Sequence, residues 1–302
     1  MNAIYFDSIH DDDTRRKNLY AGQLYVFSPT PAGKALCAFA AEMCEEAFSP
    51  HAPQEAQHHL PVEKYVEILA ELKPKFIHHP ECKKLIPQLL DELNVDLDQT
   101  YFDVPRLRTA CAGDYLSSGL AYAFKPHRDT WYSPPMSQLN WWLPVFPVAP
   151  NNVMAFHPQY WDTPVKNSSY QFNYQDWNNR GRKDAVKQIK KDTRVQSAAL
   201  EELQLEPDIR LVCEPGGLIV FSAAHLHSTV PNTSDVTRIS IDFRTVHAGD
   251  LETGNEAPNL DSESSGTTLM DYLRGSTLEH FPDELIEAQL NGSQVALHPN
   301  PR

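Results

Sequence analysis

The chain has 302 residues, 41% of them hydrophobic, which is enough for one large domain or two modest ones around a sizeable core. Its 26 Lys and Arg against 40 Asp and Glu leave a net charge of −14, which argues against a nucleic-acid groove, since phosphate binding needs clustered cations. One local cationic pocket for a small acid remains compatible with such a surface.

Residues 1–20 read as an exposed lead-in, with Asp11-Asp12-Asp13 beside Arg15-Arg16-Lys17. Residues 24–27 suit a short strand. Residues 32–48 carry Leu36, Phe39, Ala40 and Met43 on one helical stripe. Two more helices are expected over 62–72 and 85–93. The pairs His58-His59 and His78-His79 are adjacent residues that diverge on helix or strand, so they suit surface or capping positions. From about residue 100 the rhythm changes. Short β-branched and aromatic runs at 101–111, 120–125, 137–145 and 152–156, separated by turn residues, indicate antiparallel β-structure. Residues 158–207 interrupt it with an aromatic-rich insertion, expected to be an ordered lid whose second half, 183–203, is helical. The β-pattern resumes at 209–213, 218–221 and 237–246. A loop over 248–266 and terminal helices over 268–273 and 282–290 follow. The expected class is mainly β with flanking α.

Five scattered cysteines (Cys37, Cys44, Cys82, Cys111 and Cys213) form no Cys-x-x-Cys pair, so neither a disulfide framework nor a zinc site is indicated. They fit a reducing, cytoplasmic compartment. The first residues lack the pattern of a signal peptide, and no apolar run approaches ~20 residues, so no membrane partner is expected.

Chemistry concentrates on His127-Arg128-Asp129, between an aromatic run and Pro134-Pro135. On an extended backbone, residues two apart share a face, so this imidazole and carboxylate can grip one metal. They make two-thirds of a triad of two histidines and one carboxylate, which suits Fe(II) and leaves coordination positions open. The third ligand must lie downstream, at His225 or His227, which have the same parity. His227 is preferred because it ends the strand, directly before a turn; His225 then becomes a pocket neighbour. Eleven residues after His227 comes Arg238, and an antiparallel return would bring it to the metal end. Arg238, Ser240, Asp242 and Arg244 share one face, while Ile239, Ile241 and Phe243 share the other. An inward arginine and a hydroxyl two apart suit a dicarboxylate. Asp242 can serve as an internal ion-pair partner, most directly for Arg244.

Taken together, His127-x-Asp129, His227 and Arg238-x-Ser240, in that order, resemble the Fe(II)/2-oxoglutarate-dependent dioxygenase superfamily. Within it, Asp129-Thr130-Trp131, Asn140-Trp141-Trp142-Leu143-Pro144 and Gly216-Gly217-Leu218-Ile219-Val220-Phe221 are similar to phytanoyl-CoA dioxygenase-like proteins. Phe156-His157-Pro158-Gln159 departs from that group, which typically has Pro-Gly-Ser-His there. The likeness spans roughly residues 100–246. It implies a double-stranded β-helix (jelly roll, cupin-like) core in a single dioxygenase domain over 1–302. Residues 1–99 would be helical support, 100–157 and 208–247 the core, 158–207 the lid and 248–302 a helical C-terminal segment.

The same likeness implies that His127, Asp129 and His227 hold Fe(II), that Arg238 and Ser240 take the far carboxylate of 2-oxoglutarate, and that Asn140 (or Gln138) hydrogen-bonds this cosubstrate. With O2 the chain would hydroxylate, desaturate or cyclise a small polar metabolite or natural-product intermediate, releasing succinate and CO2. The Asp129 ligand leaves no position for halide. Trp131, Tyr132 and Trp141 would line the mouth, with Arg180, Arg182 or Arg244 anchoring an anionic substrate group. Two rivals are a non-catalytic jelly-roll protein that binds a small molecule, and a cupin-type metalloenzyme without 2-oxoglutarate, which would leave Arg238 idle.

Overall fold

The computed structural model describes residues 3–181, 184–189 and 191–297. In chain order the elements are β1 (Ile4–Phe6), α1 (Asp12–Tyr20), β2 (Leu24–Phe27), α2 (Pro31–Phe48), α3 (Val62–Ile77), α4 (Pro80–Glu92), β3 (Thr100–Phe102), β4 (Arg106–Ala110), β5 (Leu139–Pro144) and β6 (Met154–Phe156). There follow a short helical turn α5 (Tyr174–Asp176), β7 (Ile209–Arg210), β8 (Leu218–Ser222), β9 (His227–Thr229), β10 (Arg238–His247), α6 (Ala248–Thr253), β11 (Leu273–Arg274) and α7 (Asp283–Leu297).

An eight-stranded sheet runs β1-β2-β8-β5-β10-β3-β11, with β4 also paired to β10. A smaller sheet runs β7-β6-β9 and is extended by an antiparallel bridge between His127 and His227. Alternation along β5 and β10 decides what each face of the large sheet meets. Trp141, Leu143, Ile239, Ile241 and Phe243 join Leu36, Leu69, Phe76 and Leu89 of α2–α4 in the main core. Each such side chain contributes roughly 1.5–3 kcal/mol on burial. The opposite face packs Trp142, Ile219 and Phe221 against Phe156 and Val153 of the smaller sheet. Farther along β5 and β10 this face turns polar, with Asn140, Arg238 and Arg244.

Local signals explain the helices. Thr30 caps α2 by accepting from the Gly33 amide, with Pro31 in the first turn, where it needs no donor. His79 caps α4, accepting from the Glu81 amide.

Several expectations are corrected. Residues 12–20 form a helix rather than an exposed lead-in: Arg16 is buried and donates to Asp250, while Arg15 donates to the Leu93 carbonyl. Segment 120–125 is not a strand; a 3-10 turn at Gly119–Ala121 occupies its start. Gly119 has φ +59°, and a Cβ there would collide with the carbonyls of Ala185 and Gln188. The expected helix over 183–203 is replaced, among the described residues, by a 3-10 turn at Ala185–Lys187 and irregular chain. Tertiary donors take its carbonyls instead: Ser118 reaches those of Gln188 and Ile189, and Tyr132 that of Ser197. Residues 269–271 form only a 3-10 turn before β11, whereas the helix expected at 282–290 is present within α7.

Candidate metal centre

His127 and His227 face each other across two backbone hydrogen bonds, each amide donating to the other's carbonyl at 3.0 Å. Residue 128 is extended, so Asp129 follows His127 onto the same side before the chain tightens into a 3-10 turn at Asp129–Tyr132. Ligand atoms of His127, Asp129 and His227 all lie within 4.8 Å of one another, the one such group of three among the described residues. His127 Nε2 is 3.2 Å and His227 Nε2 4.0 Å from Asp129 Oδ1. The first spacing lies close to the roughly 3 Å that separates neighbouring ligands around an ion with bonds near 2.1 Å, and the second is about 1 Å longer.

The tautomers follow from the partners. His127 Nδ1 lies 2.8 Å from the Lys125 carbonyl and His227 Nδ1 3.0 Å from the His225 carbonyl. A carbonyl only accepts, so each Nδ1 carries the proton and each Nε2 presents its lone pair. Burial, then the neighbouring His127, push His227 down to about 4, so it is neutral near pH 7, as a ligand must be. Burial by itself would raise Asp129, but the adjoining His127 and His227 rings and the Arg108 guanidinium outweigh it and hold the carboxyl at about 2. His225 is buried, and its ring packs against Trp161 at 4.6 Å; only its carbonyl serves the site. His157 is bonded to Ser228 and the Leu205 carbonyl.

Further residues of the site sit on the large sheet. Asn140 Nδ2 donates to Asp129 Oδ2 at 2.9 Å, so this amide holds the carboxylate. Register sets Asn140 opposite Arg244 and places Arg238 six residues away along β10. Arg244, rather than Arg238, therefore lies level with the metal carboxylate, because β9 and β10 belong to different sheets. Arg244 lies 3.2 Å from Asp103, 3.4 Å from Asp242 and 4.0 Å from Asp129. Arg238 leans back over Trp142 and reaches the Asn152 carbonyl at 3.3 Å. Its Nε and the Ser240 hydroxyl are buried without a hydrogen-bond partner. Burial, then Arg108, push the Arg238 guanidinium down to about 10 against the pull of Asp242, which pairs with Arg108 and Arg244. An under-compensated buried cation next to an unpartnered hydroxyl is what an anionic ligand would satisfy.

Aromatic rings flank the triad. Phe124 stacks on His127 at 5.0 Å and Tyr132 meets it edge-on at 5.7 Å. Phe172, from the 158–207 segment, packs on Tyr132 at 5.1 Å and on Trp177 at 5.8 Å. Trp131 is fully buried and donates its indole N–H to Asp261, so it anchors the turn. Trp141 lies on the helix-facing side of β5 and stacks on Phe243, because its parity is opposite to that of Asn140. Arg180 is exposed, and Arg182 lies outside the described residues.

Sequence reasoning missed Arg108, Asp103 and Asp261. Arg108 shares the inward face with Ser240, its register partner, and sits 5.3 Å over Phe124. The parity of β4 could have found it. Asp261 accepts from Arg128 Nε, the Trp131 indole and the Val165 amide, tying two loops to the turn that carries Asp129. It lies in a polar loop with no pattern of its own.

No family model matches the chain, and no curated protein does. Among solved structures it is similar to the epimerase SnoN, crystallised with Fe3+, alpha-ketoglutarate and nogalamycin RO, at 15% identity, 78% and 85% coverage and a TM-score of 0.41. It is also similar to AviO1 from Streptomyces viridochromogenes Tue57 at 14% identity, 84% and 100% coverage and TM-score 0.40. The non-heme monooxygenase ThoJ aligns at 12% identity, 73% and 71% coverage and TM-score 0.38.

Proposed function

We propose that the chain is an Fe(II)- and 2-oxoglutarate-dependent oxygenase of the phytanoyl-CoA dioxygenase-like kind, built on a double-stranded β-helix. The observation that carries this is the convergence of His127, Asp129 and His227 with both imidazole Nε2 atoms free to ligate. Two neutral imidazoles and one carboxylate on one side of an ion are the donor set of non-heme Fe(II) oxygenases. The buried Arg238 Nε and Ser240 hydroxyl suit the far carboxylate of 2-oxoglutarate, and this requirement distinguishes the reading from a cupin-type enzyme without that cosubstrate.

In this reading the bound iron, with 2-oxoglutarate and O2, supplies the oxidising power, and succinate and CO2 are released. The chain's own residues do the rest. His127, Asp129 and His227 bind the ion, and the Lys125 and His225 carbonyls fix their ring tautomers. Arg238 and Ser240 orient the cosubstrate, while Phe124, Tyr132 and Phe172 keep water from the reacting end. The substrate is a small polar metabolite or natural-product intermediate whose ring or flat face meets these aromatics. Arg108, with its side chain 31% exposed, is placed to meet an anionic group.

The test is succinate formation with Fe(II), 2-oxoglutarate and O2 across a small-molecule library. A library member that stimulates succinate above the substrate-free rate supports the reading, and Arg238→Ala removes that stimulation. Unchanged succinate formation by Asp129→Ala overturns it.

A further inference from the structure

The Asp129 carboxylate is the end of a buried chain of hydrogen bonds that starts in the C-terminal segment. Tyr272 OH donates to Gln138 Oε1 at 2.7 Å, Gln138 Nε2 donates to Asn140 Oδ1 at 2.9 Å, and Asn140 Nδ2 donates to Asp129 Oδ2 at 2.9 Å. Tyr272, Gln138 and Asn140 are 0%, 2% and 4% exposed. Gln138 directly precedes β5 and Asn140 is its second residue, so the two, spaced two apart, project to the same side. Tyr272 joins them from a point 134 residues further along the chain.

We propose that Tyr272, Gln138 and Asn140 are positioning residues that set the orientation, and with it the metal affinity, of Asp129. The polarity of the chain admits one direction only. An ionised carboxylate accepts and never donates, so Asn140 must turn its NH2 toward Asp129. Its carbonyl then needs a donor, which obliges Gln138 to present its own NH2. The remaining Gln138 carbonyl again needs a donor, and a phenol supplies one where another acceptor would not. Each amide is thereby locked against flipping by the next. Holding Oδ2 leaves Oδ1, the oxygen nearer both imidazoles, for the ion. The C-terminal segment is in this way part of the metal centre, although none of its described residues bonds to His127, Asp129 or His227. Partners of metal-bound groups typically change affinity by about 10–100-fold when removed.

This inference rests on the metal-binding reading of the triad, so its test measures metal affinity and not turnover. Co(II) is titrated anaerobically, with a chelator as competitor, into the full chain, Gln138→Glu, Tyr272→Phe, Thr245→Val and Asp129→Ala. Gln138→Glu keeps the shape but cannot donate to Asn140, and Tyr272→Phe removes only the terminal donor. Thr245→Val deletes a different buried bond, that of Trp141 Nε1, on the other face of β5. The expected result is a roughly 10–100-fold weaker Co(II) affinity for Gln138→Glu, a smaller loss for Tyr272→Phe with an altered Co(II) visible spectrum, and no change for Thr245→Val at comparable melting temperature. Wild-type Co(II) affinity in Tyr272→Phe and in folded Gln138→Glu, with Asp129→Ala still defective, overturns the relay and leaves the triad standing. Unchanged binding by Asp129→Ala overturns both.

Discussion

On one face of β10, Ile239, Ile241 and Phe243 are at most 1% exposed and meet the helices. On the other, Arg238, Ser240, Asp242 and Arg244 look toward Asn140, Arg108, Asp103 and Asp129. The same backbone hydrogen bonds serve both faces, yet one is uniform and dry while the other is crowded with opposed charges. The apolar face supplies the stability that a half-satisfied polar face cannot, because buried ion pairs roughly break even against desolvation. The polar face leaves the Arg238 Nε and the Ser240 hydroxyl without a hydrogen-bond partner, which costs stability and which a bound anion would offset.

Substitutions on the two faces should therefore fail in different ways. Asp129→Ala should remove Fe(II) binding and bring succinate release to background, with little loss of melting temperature. Phe243→Ala should cost about 3–5 kcal/mol in chemical denaturation, while its folded fraction binds metal as before. Arg238→Ala should weaken 2-oxoglutarate by about 2–3 kcal/mol, roughly 30–150-fold in KM, with metal affinity unchanged. An equal fall in stability for Phe243→Ala and Arg238→Ala would erase the distinction.

The smallest effect concerns Lys73, on α3, whose ammonium donates to the Leu107 and Leu120 carbonyls. Burial, then Arg108, push it down to about 7 from 10.5. Between those values the unfolded chain holds a proton that the folded chain has released, so stability rises with pH. The contribution is complete above the unfolded value and is lost as pH falls toward the folded one, with a slope of at most about 1.4 kcal/mol per pH unit. Lys73→Met should flatten the stability profile between pH 7 and pH 9; an unaltered slope would show that Lys73 stays charged.

The two-residue alternation of β10 and the pairing of His127 with Asp129 were legible in the sequence because both are local geometry; His227, expected at the end of a strand, instead opens β9. The helices expected over 32–48 and 62–72 are present as Pro31–Phe48 and Val62–Ile77, the first legible from its apolar stripe and the second five residues longer than expected. What escaped depends on distant partners. Helix α1 is held by Asp250, 234 residues from Arg16, so its charges read as solvent-facing. The bond from Asn140 to Asp129 likewise depends on β5 folding over the turn, so it could not be read beside the expected cosubstrate role of Asn140. Segment 184–203 carries helix-compatible residues, but its carbonyls are claimed by Ser118 and Tyr132.

The most direct test of the account is an anaerobic titration of the purified chain with Fe(II) and 2-oxoglutarate, followed by visible absorption. A weak metal-to-ligand charge-transfer band should appear in the wild-type chain, need both components, and vanish in Asp129→Ala. No band in the metal-loaded wild type, or the same band in Asp129→Ala, would contradict the assignment of His127, Asp129 and His227 as its iron ligands.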